Sequence, residues 1–207
     1  MSSESDPAQP SLITQRIARA INAGELERFD ELYARVAPAL YAWAQLRVLK
    51  ELRKHIDAED VVQEVWIRAL EIFDRFDPDK QSFRPWLFSV AKLVLLEASR
   101  RVRRRRTEVA GHRAITGALF ELNNVPDSVT GISTRMARDD SIKRFVEHVR
   151  QSDPLDHQVL VHFGLEGLSG EVAAQRIGIS REAAFKRWQR LRKRLQEQGI
   201  GDELLVD

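Results

Sequence analysis

Side chains able to do covalent or metal chemistry are few in this sequence, and they are scattered. The histidines are His55, His112, His148, His157 and His162, and the last two stand five apart rather than the four that would align two ligands on one helix face. Cysteine is absent, which excludes disulfides and thiolate metal sites and fits a reducing compartment. The sequence has no glycine loop to cradle a phosphate, no G-x-S-x-G elbow and no helical carboxylate–histidine pair. The expectation is a protein with no catalytic centre, no metal and no cofactor, and so not an enzyme.

Charge is clustered where such chemistry is not. Six arginines fall within residues 100 to 106, in the run SRRVRRRR. One or two cations would suffice to favour the negative end of a helix dipole, so this density points to a polyanion, with nucleic acid the natural partner. Arg181 to Arg194 forms a second basic stretch, whereas the acids gather in the first 80 residues, and the formal net charge of +2 hides that asymmetry.

The most organised acidic stretch is Asp57 to Leu70, DAEDVVQEVWIRAL. Asp57 can cap a helix with Glu59 and Asp60 in its first turn, where acceptors bond orphan amides and meet the positive end of the dipole. At 100° per residue Val62, Val65, Trp66, Ala69 and Phe73 form a core-facing stripe flanked by Val61 and Leu70. Asp60, Gln63, Glu64, Ile67 and Glu71 share the opposite side. That side is either a solvated face or a docking face.

The elements around these clusters read as helices. At 207 residues, with 43% hydrophobic and 31% charged, the chain has an ordinary globular balance and room for one or two compact units. No apolar run reaches about 18 residues, and the start MSSESDPAQP lacks a basic region followed by an apolar one, so no membrane insertion and a cytoplasmic location are expected. Residues 1–10 read as a disordered tail. A short helix follows from Ser11 to about Asn22, then a longer one through Phe29, Leu32, Tyr33, Val36, Leu40, Trp43 and Leu46, which Pro38 should kink or split. The capped helix stops before the turn Asp77-Pro78-Asp79. Phe83 to Ala98, with Pro85 in its first turn, is apolar nearly all round and should be central, either wholly buried or leaving Phe83, Trp86 or Phe88 partly exposed to stack on bases. Residues 107–138 are rich in Gly, Asn, Ser and Thr and read as a linker, within which Ile115 to Leu122 could form a short helix.

The last unit begins near Asp139. Ile142, Phe145, Val146 and Val149 form one stripe, and Asp153 caps the next helix with Pro154 at its first position. Ser169 caps a short helix, and Gly178-Ile179-Ser180 turns tightly into a longer one ending near Gln198, a helix-turn-helix pattern. Ala184, Trp188, Leu191 and Leu195 should pack on Val172, Ala173, Ile177 and Ile179. The exposed side then presents Arg181, Glu182, Phe185, Lys186 and Gln189 to base edges, while Arg187, Arg190, Arg192, Lys193 and Arg194 meet phosphates. The fold class is thus all-α, two small helical domains joined by a linker, the second containing a helix-turn-helix. The expected boundaries are 11–106, 107–138 and 139–199, with a tail at 200–207.

DAEDVVQEVW at 57–66, FRPWLFSVA at 83–91 and EGLSGEVAAQRIGIS at 166–180 together resemble the sigma-70 family of bacterial RNA polymerase sigma factors, of the compact extracytoplasmic-function type. The likeness covers nearly the whole chain. It implies a factor that binds core RNA polymerase, directs it to promoters and assists their opening. By resemblance, Asp60, Gln63, Glu64 and Ile67 would dock on the clamp helices of the largest polymerase subunit. The −10 element would be contacted by Phe76, Asp77, Lys80, Phe83, Arg84, Trp86, Arg100, Arg101, Arg103 and Arg104. The −35 element would be read by Ser180, Arg181, Glu182, Phe185, Lys186, Arg187, Gln189 and Arg190. Core polymerase and promoter DNA are the implied partners, and an anti-sigma protein is a third that the resemblance allows. The alternative is a helix-turn-helix regulator that acts without melting promoters.

Two positions depart from the family pattern. Leu93 stands where relatives commonly have Asn, and Glu182-Ala183-Ala184-Phe185 replaces a familiar Gly-Thr-Val followed by Lys or Arg, so Phe185 could meet a thymine methyl. The linker has a free-coil span of only about 30 Å, although fully extended it could reach roughly 110 Å. The resemblance implies elements about 17 base pairs apart, which are separated by roughly 58 Å. Hence the linker should order only inside polymerase, and the two domains should be mobile or packed together when free.

Overall fold

The structure is a computed structural model, and it describes residues 12–48, 52–108, 131, 139–201 and 204–205. The tail at 1–10, nearly all of the linker and its candidate short helix lie outside the described residues. Among the described residues all regular structure is helical: α1 Leu12–Asn22, α2 Phe29–Arg47, α3 Ala58–Glu71, α4 Phe83–Glu108, α5 Asp140–Gln151, α6 Pro154–Val159 with a π turn over Leu160–Leu165, α7 Gly170–Ile177 and α8 Arg181–Glu197.

Local signals set most of the boundaries. Asp57 and Asp60 form a reciprocal capping box on α3, Asp60 N donating to Asp57 Oδ1 at 2.9 Å and Asp57 N to Asp60 Oδ2 at 3.1 Å. Asp139, Asp153, Ser169 and Ser180 cap α5, α6, α7 and α8 with their side chains. Gly178 closes α7 in the left-handed conformation, φ 80°, which a side chain would resist. Pro38 does not split α2, which runs unbroken from Phe29 to Arg47. Small residues, Ala37 and Ala39, flank the proline, and Leu32, Tyr33, Val36, Leu40 and Trp43 are all buried, so packing against α1 and α3 outweighs the missing amide.

α1 to α4 form the first helical unit. Tyr33 packs tilted against Trp66 with ring centroids 4.7 Å apart, and Phe73, Phe76, Phe83 and Trp86 build an aromatic cluster that seals the α3–α4 corner. α4 extends past Ala98 to Glu108, so the arginine run rides on the same helix as the apolar stretch. α5 to α8 form the second unit, where Ala184, Trp188, Leu191 and Leu195 are buried as the spacing requires. Ala173 is buried beneath them, but Val172 is 38% exposed, because α7 turns that position outward. The expected tail is partly structural: Gly201, Leu204 and Leu205 are buried, Leu205 lying over Gly164 beside Trp188. The two units pack together, α2 lying against α5 and the π turn.

Candidate polymerase and nucleic-acid interfaces

The polar face of α3 is less open than its wheel suggests. Asp60 is half-buried, and its carboxyl is pushed up by burial while it serves the capping box. Glu64 is only 9% exposed, because Arg68 Nε donates to it at 2.6 Å and the same guanidinium reaches Glu97 of α4 at 2.7 Å. Gln63 and Ile67 remain half-exposed, and Glu71 is exposed. The acidic stripe is therefore continuous in sequence but broken on the surface by an ion triad that joins α3 to α4.

The loop before α4 is tightly built. Asp77 accepts from Asp79 N at 3.0 Å and pairs with Lys80 at 2.6 Å, and Lys80 holds its carboxyl below the usual range. Gln15 of α1, a buried amide, donates to Pro78 O at 2.7 Å and Gln81 O at 3.2 Å and accepts from Phe83 N at 2.8 Å. Phe83, Trp86 and Phe88 are 1%, 8% and 0% exposed, so the structure resolves the sequence alternative towards burial, and Phe76 at 2% is no more open for stacking. Arg84 is also buried, donating to Leu165 O at 2.7 Å and to Leu204 O. Asp77 and Lys80 sit on the outer side of this loop. Arg100, Arg101, Arg103 and Arg104 are exposed, three of them lining a shallow groove with Glu97. Leu93 is 57% exposed and Leu96 45%, so the departure at Leu93 is a surface change rather than a core one.

On the second unit Ser180, Arg181, Glu182, Lys186, Gln189 and Arg190 are exposed along one side of α8, with Phe185 half-buried at its edge. Lys186 pairs with Glu182 at 2.5 Å and holds that carboxyl down. Arg187 behaves differently from its neighbours. It reaches back to Asp153 at 2.9 Å and also binds Asp156, tying α8 to the start of α6.

Sequence reading missed a third site. Glu166, fully buried at the end of the π turn, accepts from Trp43 Nε1 at 2.9 Å and Lys92 Nζ at 2.7 Å, and lies 3.0 Å from His162 Nδ1, 3.5 Å from Arg176 and 3.6 Å from Arg47. Burial alone would push this carboxyl up, but the hydrogen bonds from His162, Lys92 and Trp43 and the Lys92 charge outweigh it and hold it at about 2. Burial, with the charges of Arg176 and Arg47, pushes the Lys92 ammonium down against the pull of Glu166. A buried glutamate in a Gly-rich turn carries no periodic signal that would reveal this.

An acid-capped helix, an arginine-bearing helix and a helix-turn-helix are the parts of a DNA-directed transcription protein, and residues 32–106 match the family described as Sigma-70 region 2. That stretch is a Sigma-70 region 2, and over most of its length the chain is similar to proteins named RNA polymerase sigma factors. It is 28% identical over 183 residues to the RNA polymerase sigma factor NccH of Alcaligenes xylosoxydans xylosoxydans, covering 88% of this chain and 92% of that one. It is 29% identical over 179 residues to the RNA polymerase sigma factor CnrH of Cupriavidus metallidurans, covering 86% and 90%. A solved structure of CnrH in complex with the cytosolic domain of CnrY covers 89% of this chain and 96% of its own at 23% identity, with a TM-score of 0.43. Among the described residues no group of three or more His, Cys, Asp or Glu is placed to hold a metal, and no helix is long and apolar enough to cross a membrane.

Proposed function

We propose that this chain is a sigma factor that acts in the cytoplasm, catalyses no chemistry itself and divides its labour between its two units. The first unit engages the clamp helices of core polymerase through Gln63, Ile67 and the neighbouring Asp60 and Glu64. The loop bearing Asp77 and Lys80, together with Arg100, Arg101, Arg103 and Arg104, contacts the −10 region, where exposed cations supply phosphate attraction. Phe76, Phe83, Arg84 and Trp86 belong to the same contact but reach DNA only if the loop or the joint beside it rearranges. The second unit reads the −35 element through Ser180, Arg181, Glu182, Phe185, Lys186, Gln189 and Arg190, while Arg187 stabilises the helix that presents them. An anti-sigma protein is the third partner in this proposal.

The observation that carries the reading is the joint presence of a region 2 match over 32–106 and a capped helix-turn-helix whose second helix keeps its amino-terminal side open. Run-off transcription with purified core polymerase tests it. Start-site-specific transcripts, with permanganate-reactive thymines near the start, are the expected result. Tight duplex binding without core and without unpaired thymines would instead make the chain a regulator that does not open promoters.

A further inference from the structure

The loop before α4 is held by a residue far from it in sequence. α1 packs on α2 and α4 and buries Ile17, Ala18 and Ile21. From that fixed base the Gln15 side chain, 7% exposed, reaches the loop at three points. Its Nε2 donates to Pro78 O at 2.7 Å and to Gln81 O at 3.2 Å, and its Oε1 accepts from Phe83 N at 2.8 Å. The loop's own hydrogen bonds join near neighbours, Asp79 N to Asp77 Oδ1 and the amides of Lys80 and Gln81 to Asp77 O. Arg19, one turn further along α1, pairs with Asp79 at 3.2 Å, but both side chains are exposed and such a pair contributes little.

The three points need two donors and one acceptor from a single side chain. A carboxylate has no donor for the two carbonyls, a lysine has no acceptor for Phe83 N, and an asparagine is one methylene short. Glutamine is the side chain that meets all three. Above it Asp79, Lys80 and Gln81 are exposed, with Asp77 paired to Lys80 beside them.

We propose that Gln15 is a positioning residue for recognition of the −10 strand, holding the loop backbone from inside so that Asp77, Lys80 and Gln81 are set in place before DNA arrives. The proposal rests on the assignment of this loop to the −10 region above. A loop without such a hold samples many backbone states, and a strand that binds one of them meets the entropy loss of fixing it. Gln15 moves that loss from binding to folding, where the packing of α1 offsets it. Without the amide, two carbonyls and one N–H lose their partner beneath the loop, and they regain one from water only by moving the loop outward.

The test uses the full chain bound to purified core polymerase. Two probes are titrated: a single-stranded oligonucleotide carrying the non-template −10 segment of a promoter recovered by run-off transcription, and the −35 duplex of the same promoter. Gln15→Met keeps the charge and nearly the size of the side chain while removing its donors and its acceptor. Its affinity for the −10 strand should fall by about tenfold or more, the effect of fixing one residue's backbone at the moment of binding. Affinity for core and for the −35 duplex should stay unchanged. Ile21→Val is the control, because it trims the buried face of the same helix and leaves the loop's hydrogen bonds in place; it should lower the melting temperature without weakening the −10 strand. Where circular dichroism shows that Gln15→Met has lost helix, Gln15→Asn, a neutral amide too short to reach, takes its place. Unchanged −10 affinity in the folded variant, an equal loss for Ile21→Val, or loss of helix in both Gln15 variants overturns the proposal. Absence of any promoter-specific transcript from the parent overturns the sigma-factor reading instead, and the loop's assignment falls with it.

Discussion

Arg68 donates from Nε to Glu64 Oε1 at 2.6 Å, one turn away on α3, and so turns a residue of the acidic face into part of the α3–α4 joint. Glu64 therefore has two roles to separate, one in holding the fold and one in meeting polymerase. Charge reversal at Glu64 places a lysine beside Arg68 and leaves Glu97 as the only carboxylate of the triad. Glu64→Lys should lower stability by about 2 kcal/mol, the scale of a lost charged hydrogen bond, and the melting temperature by several degrees. A thermal melt unchanged from the parent would show that the triad contributes nothing.

Ile67 is the cleaner probe of polymerase docking. It is half-exposed and has no ion pair to break. Ile67→Lys should leave the melting temperature nearly unchanged, as surface substitutions stay within about 0.5 kcal/mol. Its affinity for core polymerase should fall by about tenfold, the effect of 1.4 kcal/mol. Equilibrium binding with labelled core measures this, and unchanged affinity would remove Ile67 from the interface.

The arginines of α8 should divide by role. Arg190 is exposed, so Arg190→Ala should weaken binding to a −35 duplex and reduce the slope of log affinity against log salt by about 1, with stability unchanged. Arg187 ties α8 to Asp153 and Asp156, so Arg187→Ala should instead lower the melting temperature. Salt titrations paired with thermal melts distinguish the two, and identical behaviour would refute the division.

Gly178 sets the angle between α7 and α8 with φ 80° and open space around it, so a side chain meets backbone strain rather than a clash. Gly178→Ala should cost about 1–2 kcal/mol and weaken −35 binding by misplacing the recognition helix. Denaturant melts and duplex titration check both, and an unchanged midpoint would contradict the left-handed turn.

Acid should undo the Glu166 cluster. Its carboxyl sits at about 2 against an ordinary 4.5, so its pairing stabilises the folded chain fully above about pH 4.5, and that contribution is lost as the pH falls towards 2. The stability gap between the parent and Glu166→Gln, from urea melts at pH 7, 4 and 2.5, should shrink towards the acid end. A gap independent of pH would mean that the carboxylate charge is not what matters.

What could be read in advance follows the range of the interaction. Asp57, Asp153 and Ser169 act on amides within a few residues of themselves, and the sequence alone located each as a cap, as it located the tight turn of Gly178 to Ser180. The Ala184–Trp188–Leu191–Leu195 stripe was legible because burial on a helix leaves a period. Glu166, Arg84 and Gln15 were not legible, because their partners lie 123, 120 and 68 residues away and isolated polar residues leave no period. The same limit explains Glu64: the wheel placed it on the polar side, but only the neighbouring helix, through Glu97 and Arg68, decides how much of that side reaches water.

Gln15 also separates two notions of a domain. The family match begins at residue 32, after α1 has ended, yet Gln15 is the group that holds Pro78, Gln81 and the first amide of α4. A fragment cut to residues 32–106 would keep every residue by which the family is recognised. It would lose the strut that shapes the loop before α4, so the boundary drawn by shared ancestry falls inside the mechanical unit.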